Sequence, residues 1–174
     1  ARGYTHKHKI LARYRSYHGA SAGAMALTGD PRRLPWEPTL MPGVVHFLDP
    51  YRYRSTFHRT NPGISEEEFT QDYLNHLEEV ILYEGPETIA AVLLESVTGT
   101  NGIIIPPAGY LAGVRTLCDK YGLLMIADEV MSGFGRTGEW FAVDHWGVKP
   151  DLMTMAKGLT SAYAPLGAVG MRPE

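Results

Sequence analysis

Glu95, Asp128 and Lys157 are charged side chains that each follow a run of apolar residues. The three runs are predicted to be strands and cover Ala90–Leu94, Leu123–Ala127 and Leu152–Ala156. If these strands are parallel neighbours, their carboxyl ends open on one crevice, which is where open α/β sheets bind ligands. Two acids and a lysine on such a rigid platform predict a catalytic site.

The chemistry open to this trio centres on the lysine. An amine in a partly desolvated crevice has a lowered pKa, because burial disfavours its charged form. The neutral amine of Lys157 could then form a Schiff base with an aldehyde. Asp128 could pair with a protonated pyridine nitrogen, which would make an aromatic ring an electron sink. Tyr17 and Val130 are available to pack against the two faces of such a ring.

Structural interpretations of the same residues stay open at this level. An acid at a strand end often caps a turn or a helix, and a lysine after a strand is usually a solvated surface charge. Glu95 and His18 could equally be satisfied structural polar groups. No histidine or cysteine spacing is typical of a zinc site, so we expect no metal.

Two helices are indicated by local signals. Ser65 followed by Glu68 matches a capping box, and apolar residues then recur at helical spacing until Gly85. A second helix is predicted after Pro106-Pro107 and ends at Gly122.

The remaining segments complete a predicted α/β fold. A short strand is expected over Lys9–Tyr14, a loop over Tyr17–Gly23, an irregular excursion over 28–63 and a last strand over Leu166–Met171. Strands that are apolar on both faces belong in a parallel sheet covered by helices. We therefore predict a three-layer sandwich with a mostly parallel sheet and a right-handed crossover between its buried strands.

Composition limits the partners. The 174 residues are 44% hydrophobic and 20% charged, with a net charge of -3. No basic excess points to nucleic acid, and the apolar runs are too short to cross a membrane. Cys118 is the one cysteine, which fits a reducing compartment. We expect a cytoplasmic protein.

Four motifs carry a family resemblance. They are YRSYHGAS at 14–21, VLLESVTGTNG at 92–102, IADEVMSGFGRTG at 126–138 and PDLMTMAKGLTSAYAPLGAVGMR at 150–172. In this order and spacing the chain resembles the class III, omega-amino acid type, aminotransferases of the fold-type I pyridoxal-phosphate family. The similarity runs over nearly the whole chain. Within the family, the wording looks closest to the taurine:pyruvate and related omega-amino acid:pyruvate aminotransferases.

The resemblance implies roles for matching residues. Lys157 would hold pyridoxal 5'-phosphate as a Schiff base and serve as general acid and base. Asp128 would bond the pyridine nitrogen, and Val130 would pack on the ring opposite the stacked Tyr17. Glu95 would lie near the edge of the ring.

Other positions are less typical of the family. His18 belongs to the aromatic-His-Gly element, without a specific role. Ser96 and Met131 stand where many members have Pro and Gln. Met131 cannot donate a hydrogen bond to the phenolic oxygen of the cofactor.

The resemblance also implies that residues 1–174 are a partial pyridoxal-phosphate-binding large domain. The loop that cups the phosphate would precede Ala1, and the small C-terminal domain would follow Glu174. We expect the isolated segment to bind the cofactor poorly and to be inactive. The full-length protein is expected to be a homodimer.

Three functions are compatible with these observations. The first is transfer of an amino group from an omega-amino acid or amine, with taurine or beta-alanine as candidates, to pyruvate or a similar 2-oxo acid. The second is an aminomutase, racemase or decarboxylase on the same scaffold. The third is a non-catalytic nucleotide-binding α/β module, but Gly133 and Gly135 lack the third glycine and the helix of a dinucleotide-binding loop.

Overall fold

A computed structural model describes residues 6–173 and contains a six-stranded sheet. The strands are β1 (Lys9–Arg13), β2 (Val44–Phe47), β3 (Ile89–Glu95), β4 (Leu124–Asp128), β5 (Leu152–Met155) and β6 (Ala168–Met171). They lie in the order β2-β1-β3-β4-β5-β6. All neighbouring pairs are parallel except β5 and β6, which are antiparallel. The prediction of an α/β fold with a mostly parallel sheet is confirmed.

The four α-helices are α1 (Ala22–Leu27), α2 (Thr56–Thr60), α3 (Glu66–Glu84) and α4 (Tyr110–Tyr121). Both hydrogen bonds of the predicted capping box are present at the start of α3, between Ser65 and Glu68. Helix α4 ends at Gly122, whose φ of 63° is left-handed and suits glycine. These helices therefore begin and end where the local sequence signals place them.

Helices α3 and α4 cover one face of the sheet. Their apolar residues form a continuous core with Leu11 of β1, Val92 of β3 and Met125 of β4. Side chains alternate between the two faces of a strand, so Glu95 and Asp128 lie on the opposite face. The short helix α1 packs near β1 and β2, where the ring of His46 contacts the carbonyl of Leu27.

The segment 28–63 was predicted to be irregular, and this prediction is wrong for the helix α2 (Thr56–Thr60) and for residues 44–47. Residues 44–47 form β2, which pairs in parallel with β1 at the edge of the sheet. Strand β2 has only four residues, and its partner lies much earlier in the chain, so no local pattern marks it. The predicted loop over Tyr17–Gly23 likewise ends early, because α1 begins at Ala22.

Among residues 6–173, no helix has the length and apolar character needed to cross a membrane.

Candidate active site

Glu95 and Asp128 are side by side at the carboxyl ends of β3 and β4, where they are register partners. Both are almost wholly buried, at 4% and 5% exposure. Glu95 uses both carboxylate oxygens on backbone: Oε1 accepts from the N–H of Tyr17 at 3.0 Å and Oε2 from that of Gly99 at 2.7 Å. It thereby ties the loop after β1 to the loop after β3.

Asp128 is held by a histidine. Its Oδ2 lies 2.7 Å from Nδ1 of His18, and its Oδ1 accepts from the N–H of Val130 at 3.0 Å. Side-chain exposure is only 3% for the histidine and 6% for the aspartate. An ionised carboxylate has about four lone-pair positions, so Asp128 can accept a further hydrogen bond, such as one from a protonated ring nitrogen.

Two more polar atoms near Asp128 are buried without a hydrogen bond in the described part of the chain. They are Nε2 of His18 and Oγ1 of Thr154, the register partner of Asp128 on β5. Buried polar groups are normally satisfied, and a ligand is one way to satisfy them. Together with the spare acceptor capacity of Asp128, they fit a site that receives a polar aromatic ring.

Tyr17, whose backbone N–H donates to Glu95, has a cation over its ring. The guanidinium carbon of Arg32 lies 4.1 Å from the centroid of that ring. Arg32 is itself paired with the buried Asp30. Arg32 was not among the site residues predicted from the sequence, although Asp30-Pro31 is a signal for the helical turn that carries it, which covers Pro31–Thr39.

Lys157 is separated from β5 by Ala156 and is the first residue of a short 3-10 turn over Lys157–Leu159. Its φ of 43° is left-handed, which is uncommon for a non-glycine residue and occurs often at functional sites. The side chain is exposed and has no hydrogen bond or ion pair to any residue from 6 to 173. No element among residues 6–173 covers this amine, so these residues by themselves do not form the partly desolvated crevice that the sequence predicts.

The segment of Lys157 contacts another motif. A Cβ atom added to Gly158 would lie 2.7 Å from Cβ of Phe134, so the two backbones need a glycine here. Phe134 also has a left-handed φ of 59°, and its ring packs edge-on against Phe141 at 5.5 Å. The AKG and GFGRTG motifs, distant in sequence, thus meet directly.

Glu129, next to Asp128, has a structural role that the sequence analysis did not identify. It is fully buried and accepts four hydrogen bonds of 2.6 to 3.1 Å. The donors are the hydroxyls of Ser96 and Ser132 and the N–H groups of Ala142 and Val143. The hydroxyl of Ser96 therefore helps to satisfy a buried acid.

Met131 packs against the loop that Glu95 holds. A Cβ atom added to Gly99 would lie 3.0 Å from Cγ of Met131. The methionine thus fills the space beside the Gly99 N–H that donates to Glu95.

The fold and the acids and lysine at its strand ends define a domain of the fold-type I α/β enzyme class. The model of the family described as "Aminotransferase class-III" matches residues 1–174, and the chain belongs to this family.

Known proteins agree with this assignment. The chain is 45% identical over 174 residues to gamma-aminobutyrate transaminase 1 (mitochondrial) of Oryza sativa subsp. indica. The matched region covers 100% of this chain and 33% of that protein. It is 44% identical over 158 residues to the taurine–pyruvate aminotransferase of Bilophila wadsworthia, with 90% and 33% covered. The solved taurine:2-oxoglutarate aminotransferase of Bifidobacterium kashiwanohense, in complex with PLP and glutamate, is 51% identical with a TM-score of 0.90, over 98% of this chain and 38% of that one. The chain spans about a third of the length of these relatives.

Proposed function

We propose that the protein containing this chain is a pyridoxal-phosphate-dependent aminotransferase. The observation that carries the proposal is the buried pair of His18 and Asp128 at the end of β4, one strand away from Lys157 at the end of β5. A structural lysine after a strand needs no such neighbour. A lysine that holds an aromatic cofactor needs a nearby carboxylate, such as that of Asp128, to pair with the ring nitrogen.

Pyridoxal 5'-phosphate, when bound, supplies an aldehyde that links to an amine and a ring that withdraws electrons. The carboxylate of Asp128 would hold the proton of the ring nitrogen, because a nearby negative charge stabilises that cation. His18 fixes the orientation of this carboxylate through its 2.7 Å contact. Lys157 would hold the cofactor and then move a proton at Nζ as general acid and base.

The remaining predicted residues would enclose the ring. Tyr17 would lie against one face and Val130 against the other. Glu95 would shape the ring edge mainly by holding two neighbouring loops, since its two carboxylate oxygens already accept the backbone N–H groups of Tyr17 and Gly99.

We propose an omega-amino acid or amine as the amino donor, with taurine and beta-alanine as the first candidates. The donor would become an aldehyde or ketone, and its amino group would pass to a 2-oxo acid. Pyruvate is the first acceptor to test. The relatives' names include both pyruvate and 2-oxoglutarate as acceptors, so the two belong in the same assay.

The test uses the full-length protein and its Lys157→Ala variant. Lys149→Ala is the matched control, because Lys149 is also an exposed lysine but precedes β5 instead of following it. We expect the wild type and the control to bind pyridoxal phosphate covalently and to release the carbonyl product of the donor. The Lys157 variant should lose both properties. Full activity in that variant would overturn the proposal.

A half-reaction without any acceptor separates the alternatives. An aminotransferase releases about one equivalent of carbonyl product per site and retains the amino group on the cofactor. An aminomutase, racemase or decarboxylase on this scaffold would not release that product.

The homodimer and the cytoplasmic location belong to the same proposal and rest on family membership and on composition. Sedimentation of the full-length protein tests the first, and cell fractionation tests the second. A monomer that retains full activity would contradict the dimer.

A further inference from the structure

The ring of Tyr17 is approached by a cation. The guanidinium carbon of Arg32 lies 4.1 Å from the ring centroid, well inside the range of a cation–π contact. A planar guanidinium at this distance occupies one face of the ring. The contact leaves the other face for a second flat group.

Arg32 is held in this position by a buried acid. Its Nε lies 3.0 and 2.9 Å from the two oxygens of Asp30, and its terminal nitrogen also contacts that carboxylate. Asp30 is 3% exposed, and it also accepts from the backbone N–H of Arg32 at 2.9 Å. A forked pair of this kind fixes the guanidinium plane as well as its position.

The support reaches the acid end of the sheet. Nδ2 of Asn101 donates to Asp30 at 3.2 Å, and Asn101 lies in the loop after β3. The same loop donates the N–H of Gly99 to Glu95, which in turn holds the N–H of Tyr17. The backbone of Tyr17 and the face of its ring are thus positioned from one loop, by two separate routes.

We propose that Arg32, anchored by Asp30, is a positioning residue that fixes the Tyr17 ring at the angle at which it packs against the bound cofactor. This inference rests on the proposed function. Without Arg32, the ring keeps its backbone tie to Glu95 but can rotate about its side-chain bonds. The cofactor then loses a preformed surface and binds with a greater loss of side-chain entropy.

The neighbouring Arg33 provides a matched control. Its guanidinium carbon lies 6.0 Å from the ring of Tyr14, and it contacts Glu37 at 3.3 Å and the carbonyl of Gly29 at 2.9 Å. It is therefore an arginine on the same helical turn, with a comparable set of contacts, that does not lie over the Tyr17 ring.

The experiment measures the dissociation constant of pyridoxal phosphate for the full-length apoprotein, and the visible circular dichroism of the bound cofactor. Arg32→Met should raise the dissociation constant about fivefold and reduce the dichroism, as expected for loss of one cation–π contact. Arg32→Lys keeps a positive charge but loses the planar fork to Asp30, so it should raise the constant by about threefold, between the wild type and Arg32→Met. Arg33→Met should also change the constant by less than about twofold.

Equal effects of Arg32→Met and Arg33→Met, or no effect of the first, would overturn the inference. If Arg32→Met does not fold, Asp30→Asn decides the question, because it keeps the guanidinium and loosens its anchor. A rise of about threefold in the dissociation constant of pyridoxal phosphate would support the proposal, and an unchanged constant would overturn it. Cofactor binding that is absent in the wild type, or independent of Lys157, would instead contradict the proposed function.

Discussion

Nδ1 of His18 and Oδ2 of Asp128 are 2.7 Å apart, in a contact that solvent hardly reaches. A buried carboxylate needs such partners, because an unpaired charge in the interior is unfavourable. His18 comes from the loop after β1, two strands away from Asp128. The contact therefore couples the placement of Asp128 to the packing of the whole strand-end region.

Replacing His18 by Ala should leave Asp128 with the Val130 N–H as its only hydrogen bond among the described residues. We expect a loss of about 1–3 kcal/mol in the free energy of unfolding, because a buried charged acceptor loses a donor. Urea unfolding measures this loss. His8→Ala, at an exposed histidine, should change it by less than about 0.5 kcal/mol. Equal stability of the two variants would contradict a structural role for the pair.

Gly158→Ala should disturb the position of Lys157. The new methyl group would lie 2.7 Å from Cβ of Phe134, so one of the two backbones must move. We expect destabilisation of about 1–3 kcal/mol and a lower yield of covalently bound cofactor, measured by unfolding and by absorbance. Gly23→Ala is the control, since nothing lies within 4 Å of its added Cβ. A fully stable Gly158→Ala protein would disprove the close contact.

Glu129→Gln should destabilise the protein although it removes no candidate catalytic group. A glutamine offers one acceptor oxygen where the carboxylate accepts four hydrogen bonds, and its NH2 would face donors. We expect a loss of about 2–3 kcal/mol in thermal or urea unfolding. Glu139→Gln, at an exposed acid, is the comparison and should be nearly neutral. A free energy of unfolding that is unchanged in Glu129→Gln as well as in Glu139→Gln would show that the hydrogen bonds to Glu129 contribute little.

Asp151 predicts how stability depends on acid pH. Burial by itself would raise the pKa of Asp151, but the N–H of Met125 and the guanidinium of Arg115 outweigh it and hold that pKa below its ordinary value of 3.8. A carboxyl whose pKa is lowered on folding stabilises the protein above its unfolded value and loses this contribution as the pH falls below it. The free energy of unfolding, measured from pH 5 down to about pH 2, should therefore fall more steeply in the wild type than in Asp151→Asn. The same pH dependence of the free energy of unfolding in both proteins would refute this role of Asp151.

The isolated segment 1–174 should bind pyridoxal phosphate weakly and show no transaminase activity. Lys157 is exposed in the described range 6–173, so none of those residues shields the link between the amine and the cofactor from water. Titration of the segment beside the full-length protein tests this expectation. Tight stoichiometric binding to the segment would show that residues 1–174 already contain a sufficient site.

The elements found from sequence are those whose signals are local. Each of these signals lies within a few consecutive residues: the capping box of α3 and the apolar runs of β3, β4 and β5. The acids at the ends of β3 and β4 come directly after such runs and were found with them. Strand β2 and the Arg32–Tyr17 contact were missed, because each depends on a partner brought in by tertiary folding. The degree of desolvation of Lys157 could not be predicted from its neighbours in sequence, since solvent exposure depends on which elements surround a residue in the fold.

Glu95 fastens the chain after β1 to the chain after β3, and so sets where length variation can be accommodated. An insertion between Arg13 and Tyr17 would pull the tyrosine N–H away from its acceptor and displace the site. Residues 34–39, which follow Arg32 and Arg33 in their helical turn, are exposed. Homologues and engineered versions should accordingly diverge in loop length around this outer turn, while the spacing from β1 to Tyr17 stays constant.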